Sequence, residues 1–218
     1  MAGTPELAHI RLGDRPLVVC DIDEVVLEFI SPFQAYLRNR QFELLPRSFM
    51  LHGNIFSLLD GSEPDEAAMK AMQEDFFANQ DKWQKPAVRA VETLRDLSGD
   101  ADVVFLTAMP PRYQKVRRTL LDRLDLPYPM IATEEAKGPV VEALHQRRPL
   151  PVAFLDDIQR NLQSVRSHVP DCLLVSLMAN ADFRALAPAP TEGIVQAADW
   201  SEANKLIRNH FLGQVVQR

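Results

Sequence analysis

Leu17-Val18-Val19-Cys20-Asp21-Ile22-Asp23-Glu24-Val25-Val26 is the stretch on which the fold turns. A short apolar run with adjacent valines reads as a buried strand, and two carboxylates follow it at once. Both acids then sit at the carboxyl end of a strand, the edge where open α/β sheets bind ligands. Side chains alternate along a strand, so if the strand persists Asp21 and Asp23 share a face while Ile22 turns into the core. Carboxylates this close repel unless a cation lies between them or one takes a proton. The natural occupant is Mg²⁺, a hard ion bound by oxygen and often completed by substrate phosphate.

Three later segments repeat the arrangement of an apolar run followed by a polar group. Val103-Val104-Phe105-Leu106 leads into Thr107, and Val152-Ala153-Phe154-Leu155 leads into Asp156-Asp157. Between them, Met130-Ile131-Ala132-Thr133 precedes a short acidic loop and then Lys137, at the start of a helix-like stretch. Together these supply two acidic pairs for a cation, a hydroxyl donor and a fixed positive charge. Phosphoryl transfer needs that equipment, because its catalysis is mostly positioning and charge neutralisation.

In this constellation the chain resembles the haloacid dehalogenase superfamily, in its aspartate-nucleophile, Mg²⁺-dependent phosphatase branch. Asp21-Ile22-Asp23-Glu24-Val25, Thr107, Lys137 and Asp156-Asp157 match the family pattern, which covers most of the chain outside residues 30–85. Two departures are Glu24, where many members carry Gly, and Ala108, where Asn is frequent. Glu24 has the length to crowd the entrance to the site. The resemblance implies Asp21 as nucleophile and Asp23 as general acid and base. It implies Thr107, the Ala108 amide and Lys137 as phosphate contacts. Mg²⁺ would rest on the Asp21 carboxylate, the Asp23 main-chain carbonyl and Asp156, with Asp157 as a ligand directly or through water.

The rest of the chain reads as alternating strands and helices, the order expected of a Rossmann-like, doubly wound parallel sheet. Strands are expected at 16–21, 102–107, 128–132, 151–156 and 172–177, with a short edge strand at Ile194-Val195. Helices are expected near 87–98, 111–124, 138–147, 158–168 and 200–211. In the first of these, Val88, Val91, Leu94 and Leu97 recur every third residue as a buried stripe. One interruption stands out. Residues 30–85 show no convincing strand and helix-like stretches near 32–40, 47–59 and 64–80. A parallel crossover normally needs one helix, so the excess reads as a small helical cap inserted after the first strand. The catalytic core is then 1–29 with 86–218. Within the insert, Arg38, Arg40, Arg47, His52 and Asn54 are candidate substrate contacts. Phe29, Phe33, Phe42, Phe49 and Phe56 read as packing residues rather than an aromatic substrate box.

Composition narrows the classes further. Hydrophobic residues at 46% and charged residues at 25% are ordinary globular values, which argues against a disordered chain. A formal charge of −6 argues against nonspecific nucleic-acid or anionic-membrane binding. A small phosphorylated substrate remains compatible, because a local cation and Lys137 dominate the site. Cys20 and Cys172 fall in strand-like runs and read as buried apolar side chains, not a disulfide framework. His9, His145, His168 and His210 lack metal-ligand spacing. Met1–Arg15 shows no signal-like apolar core and no segment is long enough to span a bilayer, so cytoplasm is the expected compartment.

Two other functions compete on these residues. A signalling receiver also uses acids, Thr and Lys at strand ends, but it places its acidic pair first, and here the pair comes last. A catalytically silent phosphate-binding module would keep the fold and the metal site. Dehalogenation is disfavoured, since the resembling dehalogenases need neither Mg²⁺ nor an acid two residues after the nucleophile.

Overall fold

A computed structural model of the chain describes residues 7–213. Residues 1–6, the start of the stretch read for a signal-like core, lie outside the described residues. Six parallel strands form the main sheet in the order β5-β4-β1-β6-β7-β8. They are β1 (Leu17–Cys20), β4 (Asp102–Thr107), β5 (Met130–Ala132), β6 (Val152–Asp156), β7 (Leu173–Leu177) and β8 (Ile194–Ala197). Helices α4 (Ala90–Leu97), α5 (Gln114–Arg123), α6 (Lys137–His145), α7 (Gln159–His168), α8 (Ala181–Leu186) and α9 (Trp200–Phe211) connect or follow them. No helix among the described residues is long and apolar enough to cross a membrane.

The near-continuous apolar strands follow from burial on both faces. Val18, Cys20, Val103, Phe105 and Leu155 pack on one side with Leu94, Leu121 and Ile207 of α4, α5 and α9. Leu17, Val19, Val104, Leu106 and Phe154 pack on the other with Val141 and Val165 of α6 and α7. Both cysteines are free and buried. The stripe expected on α4 is shorter than its spacing suggested. Leu94 and Leu97 are buried, but Val88 is 78% exposed because it precedes the helix and does not share its face.

Residues 30–85 differ from their expected all-helical form. Helices α1 (Ile30–Arg38), α2 (Glu66–Ala78) and α3 (Gln80–Trp83) are joined by an antiparallel hairpin of β2 (Phe42–Leu44) and β3 (Ile55–Ser57). The helix expected over 47–59 is therefore a loop and a strand. A buried Asn54 explains the loop: its side-chain amide donates to the Ser48 carbonyl (3.0 Å), the Ser48 hydroxyl (2.9 Å) and the Met50 carbonyl (2.5 Å). Asp65 caps α2 by accepting from the Ala68 amide at 2.7 Å. Phe33, Tyr36, Leu37 and Phe76 form a separate apolar cluster with Met178 and Phe183 beside the sheet. The segment leaves and returns through a narrow neck. There the Glu28 amide donates to the Lys85 carbonyl, and the Ala87 amide to the Val26 carbonyl, both at 2.9 Å.

Candidate active site

β1 lies between β4 and β6, so the sheet order reverses beside it and opens a crevice at the strand ends. In register, Cys20 stands beside Phe105 and Leu155. Asp21 is the next residue, Thr107 ends β4 and Asp156 ends β6, so three groups far apart in sequence meet at one edge. Ile22 is fully buried, although β1 ends at Cys20 and the acids lie just beyond the regular strand. Its carbonyl accepts from the Val26 and Leu27 amides (2.9 and 2.8 Å), turning the chain sharply after the acids. Trp200 of α9 fastens this turn, its indole donating to the Val25 carbonyl at 2.9 Å.

Lys137 is buried at the first turn of α6, with its ammonium between two carboxylates. It donates to Asp21 Oδ1 and, at 2.6 Å, to Asp156 Oδ2. Burial alone would favour its neutral form, but Asp156 and Asp21 outweigh this and the net shift is upward. Gly138 makes this depth possible, because a Cβ there would lie 2.3 Å from the Ser164 carbonyl of α7. Asp156 is fully engaged: Oδ1 accepts from the Ile158 amide (2.8 Å) and from Asn161 (3.0 Å), which also reaches Oδ2 (3.1 Å). Asp21 is pushed up to about 7, first by burial, with Asp156 and Asp23 adding to it and Lys137 opposing. Asp157 is held well above the usual carboxylate range by burial and by the charges of Asp156, Asp21 and Glu24.

Asp23 points toward a group that sequence reasoning missed. Arg117 of α5 is fully buried and donates through Nη2 to both Asp23 oxygens, at 2.8 and 3.1 Å. Gln84 adds a donor to Asp23 Oδ1 at 2.8 Å. Gln80 accepts from Arg117 Nε, and Gln84 accepts from Nη2 at 3.2 Å. Arg117 Nη1 is buried without a protein partner. The sequence did carry a signal, since Arg117 stands three and four residues before the buried Leu120 and Leu121 and so shares their face. Thr107 is buried; its hydroxyl accepts from the Met109 amide at 3.1 Å and lies 3.5 Å from Asp23 Oδ2.

Glu24 folds inward. Its Oε2 accepts from the amides of Phe29 (3.0 Å) and Ile30 (2.6 Å), and its Oε1 from that of Asn180 (2.7 Å). It thereby serves as the anionic cap that α1 lacks locally, and ties the insert to the loop after β7. Burial still raises its carboxyl, with the three amide bonds opposing. The backbone cost is a left-handed residue, φ +66°, a conformation glycine adopts more readily.

Above these groups lies a cavity of about 550 Å³, whose lining includes Asp21, Asp23, Thr107, Ala108, Asp157 and Asn161. Among the described residues no three His, Cys, Asp or Glu side chains form a ready metal cage. The donors do suit a hard cation, which takes few carboxylates and completes its shell with carbonyl, water and phosphate oxygen. Crowded acids held above their usual range, as Asp21 and Asp157 are, also invite a cation.

The named polar candidates of the insert do not line this cavity. Arg40 pairs with Asp75 and stacks over Tyr36 at 3.8 Å, and Arg47 lies over Phe56 at 4.5 Å. Arg38 and His52 are exposed, and Asn54 holds its own loop. Phe29 and Phe49, read from sequence as packing alone, do line it, with Phe77 and Phe183.

No protein-family model matches the chain, and no curated protein matches it. Solved structures do. A haloacid dehalogenase-like hydrolase from Streptococcus pneumoniae aligns with a TM-score of 0.55 at 11% identity, covering 89% of this chain and 99% of that one. A hydrolase of the same family from Deinococcus radiodurans, solved with bound phosphate and sodium, aligns at 0.56 with 14% identity over 89% and 95% of the two chains. The Mycobacterium tuberculosis protein tyrosine kinase A aligns at 0.52 with 20% identity over 88% and 98%. One fold thus carries different named activities, and the reaction has to be argued from the site. By the order of its strands, the placement of its helices and these likenesses, the chain has the fold of the haloacid dehalogenase superfamily.

Proposed function

We propose that this chain is a Mg²⁺-dependent phosphatase that hydrolyses a small phosphorylated substrate through an aspartyl-phosphate. The observation that carries the reading is the buried Lys137, whose ammonium joins Asp21 to Asp156 beside a cavity also lined by Asp23, Thr107 and Asp157. A carboxylate of Asp21 attacks phosphorus, forming the O–P bond as the bond from phosphorus to the leaving oxygen breaks. Asp23 delivers a proton to that oxygen, then takes one from the water that hydrolyses the intermediate. For this it has to exchange Arg117 and Gln84 for the substrate, so α5 and the end of the insert hold the acid between turnovers. Thr107 and the Ala108 amide bind phosphoryl oxygens, and Lys137 steadies charge shared by Asp21 and the phosphoryl group. Mg²⁺, when held by the carboxylates of Asp21 and Asp157 and the Asp23 main-chain carbonyl, would supply charge neutralisation at the phosphoryl oxygens. Asp156, with both oxygens already engaged, orders Lys137 and the loop. Residues 30–85 act as a cap over this floor, hinged at the neck of residues 26–28 and 85–87.

One observation favours a second reading. Asp23, partly exposed but held by the buried Arg117, suits a module whose aspartyl-phosphate persists, whereas a phosphatase hydrolyses it quickly. A panel of phosphomonoesters assayed with Mg²⁺ separates the two. Turnover that Asp21→Asn abolishes in a protein with an unchanged circular dichroism spectrum supports the phosphatase. Near-wild-type turnover by that variant, or full activity after thorough chelation, contradicts it.

A further inference from the structure

The cavity has two unlike halves. One side holds the acids, Thr107, Asn161 and the exposed Arg160 at the start of α7, while the other is a wall built from Phe29, Phe49, Leu51, Phe77, Met109 and Phe183. The wall is set in place before any ligand arrives. Phe77 stands between Phe29 and Tyr113, with ring centres 5.9 Å from each and stacked on Tyr113 at an interplanar angle of 28°. Phe29 is also fixed against Phe33 and Phe76, at 5.3 Å from both. Met109 is braced from behind, its sulfur accepting from Gln80 at 3.4 Å. The arginines of the insert are committed elsewhere or exposed, and the side-chain amide of Gln73 is the polar group that the insert adds to the lining.

From this division we propose that the substrate is a phosphomonoester of an apolar, ring-bearing alcohol rather than of a sugar. The inference rests on the phosphatase reading for its phosphate end and on the wall for its leaving group. About 550 Å³ holds a phosphate and one or two fused rings. A ring slipped among Phe29, Phe49 and Phe77 meets offset and edge contacts of the kind aromatic groups favour. A sugar would instead turn several hydroxyls toward carbon, and each unpartnered hydroxyl weakens binding roughly tenfold or more.

The test compares substrates whose leaving groups are all primary alkyl alcohols, so that chemical reactivity is matched. With Mg²⁺ present, kcat/KM for 2-(1-naphthyl)ethyl phosphate is expected to exceed that for glycerol phosphate and glucose 6-phosphate by about 100-fold. Phe49→Gln, on the partly exposed loop of the hairpin, should cut that ratio by about tenfold or more, and its melting temperature reports whether the fold survives. A second measurement does not depend on turnover: calorimetric titration of Asp21→Asn with 2-(1-naphthyl)ethanol. Saturable binding that Phe49→Gln weakens supports the assigned pocket even where no phosphate is hydrolysed, a pattern that would instead sink the phosphatase reading. Equal kcat/KM values across the three esters, or no binding of the alcohol, overturns the inference and leaves the wall as packing alone.

Discussion

The sheet and the insert of residues 30–85 are organised by opposite rules. In the sheet, every strand residue of β1, β4 and β6 is buried, and functional groups appear where those strands stop. In the insert, the strands are three residues long, the core mixes aromatic rings with Leu, Ile and Met, and the cavity face is mostly carbon. On the proposed reading the difference is a division of labour: groups at the strand ends would handle the phosphoryl group, and the insert, with Phe29, Met109 and Phe183 of the core, would select what is attached to it. The two meet at Asp23, gripped by Arg117 of the core and Gln84 at the end of the insert.

The sharpest way to break this division is at that meeting point. Asp23→Asn should lower turnover roughly 10²–10⁴-fold, the usual worth of general acid–base help. The first step should suffer most with a poor alkyl leaving group and least with an aryl phosphate, whose oxygen needs less protonation. Rapid-quench kinetics read that step alone, and equal losses for both leaving groups would reduce Asp23 to a structural role.

Removing charge from the floor should next separate the regions by stability. Lys137→Met leaves Asp21 and Asp156 buried without their cation, which costs about 3–5 kcal/mol. The pH dependence has a definite sign. Asp21 is raised to about 7 even with Lys137 opposing, and without that ammonium it is pushed higher still, so the variant's fold favours the protonated carboxyl. That contribution is fully present below the ordinary carboxyl range and is lost as pH rises through the raised value. The variant should therefore be increasingly destabilised as pH rises and recover as pH falls. Denaturant melts across pH 5 to 8 measure this, and a pH-independent loss would contradict the buried-charge explanation.

A comparable cost from the insert should stay local. Phe76 is fully buried among Phe29, Phe33, Tyr36 and Phe77, and Phe76→Ala removes about 3–5 kcal/mol of packing. Hydrogen exchange should quicken through α1, α2 and the hairpin while β1 and β4 keep their protection. Uniform loss across both regions would mean that the insert is not a unit of its own.

The same contrast explains what was legible in the sequence. Long apolar runs flanked by polar groups made β1, β4 and β6 readable, and α9 was read with its ends correct at Trp200 and Phe211. Asp21, Thr107 and Asp156 were legible because each ends such a run. The hairpin was not, since Phe42-Glu43-Leu44 and Ile55-Phe56-Ser57 are too short to display a period. The inward fold of Glu24 depends on amides at Phe29, Ile30 and Asn180, which no local pattern brings together. Arg117 was hidden because a basic residue in a basic helix ordinarily faces water, and only its spacing to Leu120 and Leu121 betrays its burial.

The most direct test of the central claim asks where phosphate is held. Asp23→Asn, mixed with Mg²⁺ and an aryl phosphate, is quenched in the first turnover, reduced with borohydride and mapped by peptide mass spectrometry. Reduction of an aspartyl-phosphate leaves homoserine, and the account predicts it at position 21 with Asp156 and Asp157 unmodified. Release of phosphate with no homoserine at position 21, or with homoserine elsewhere, would contradict Asp21 as the nucleophile.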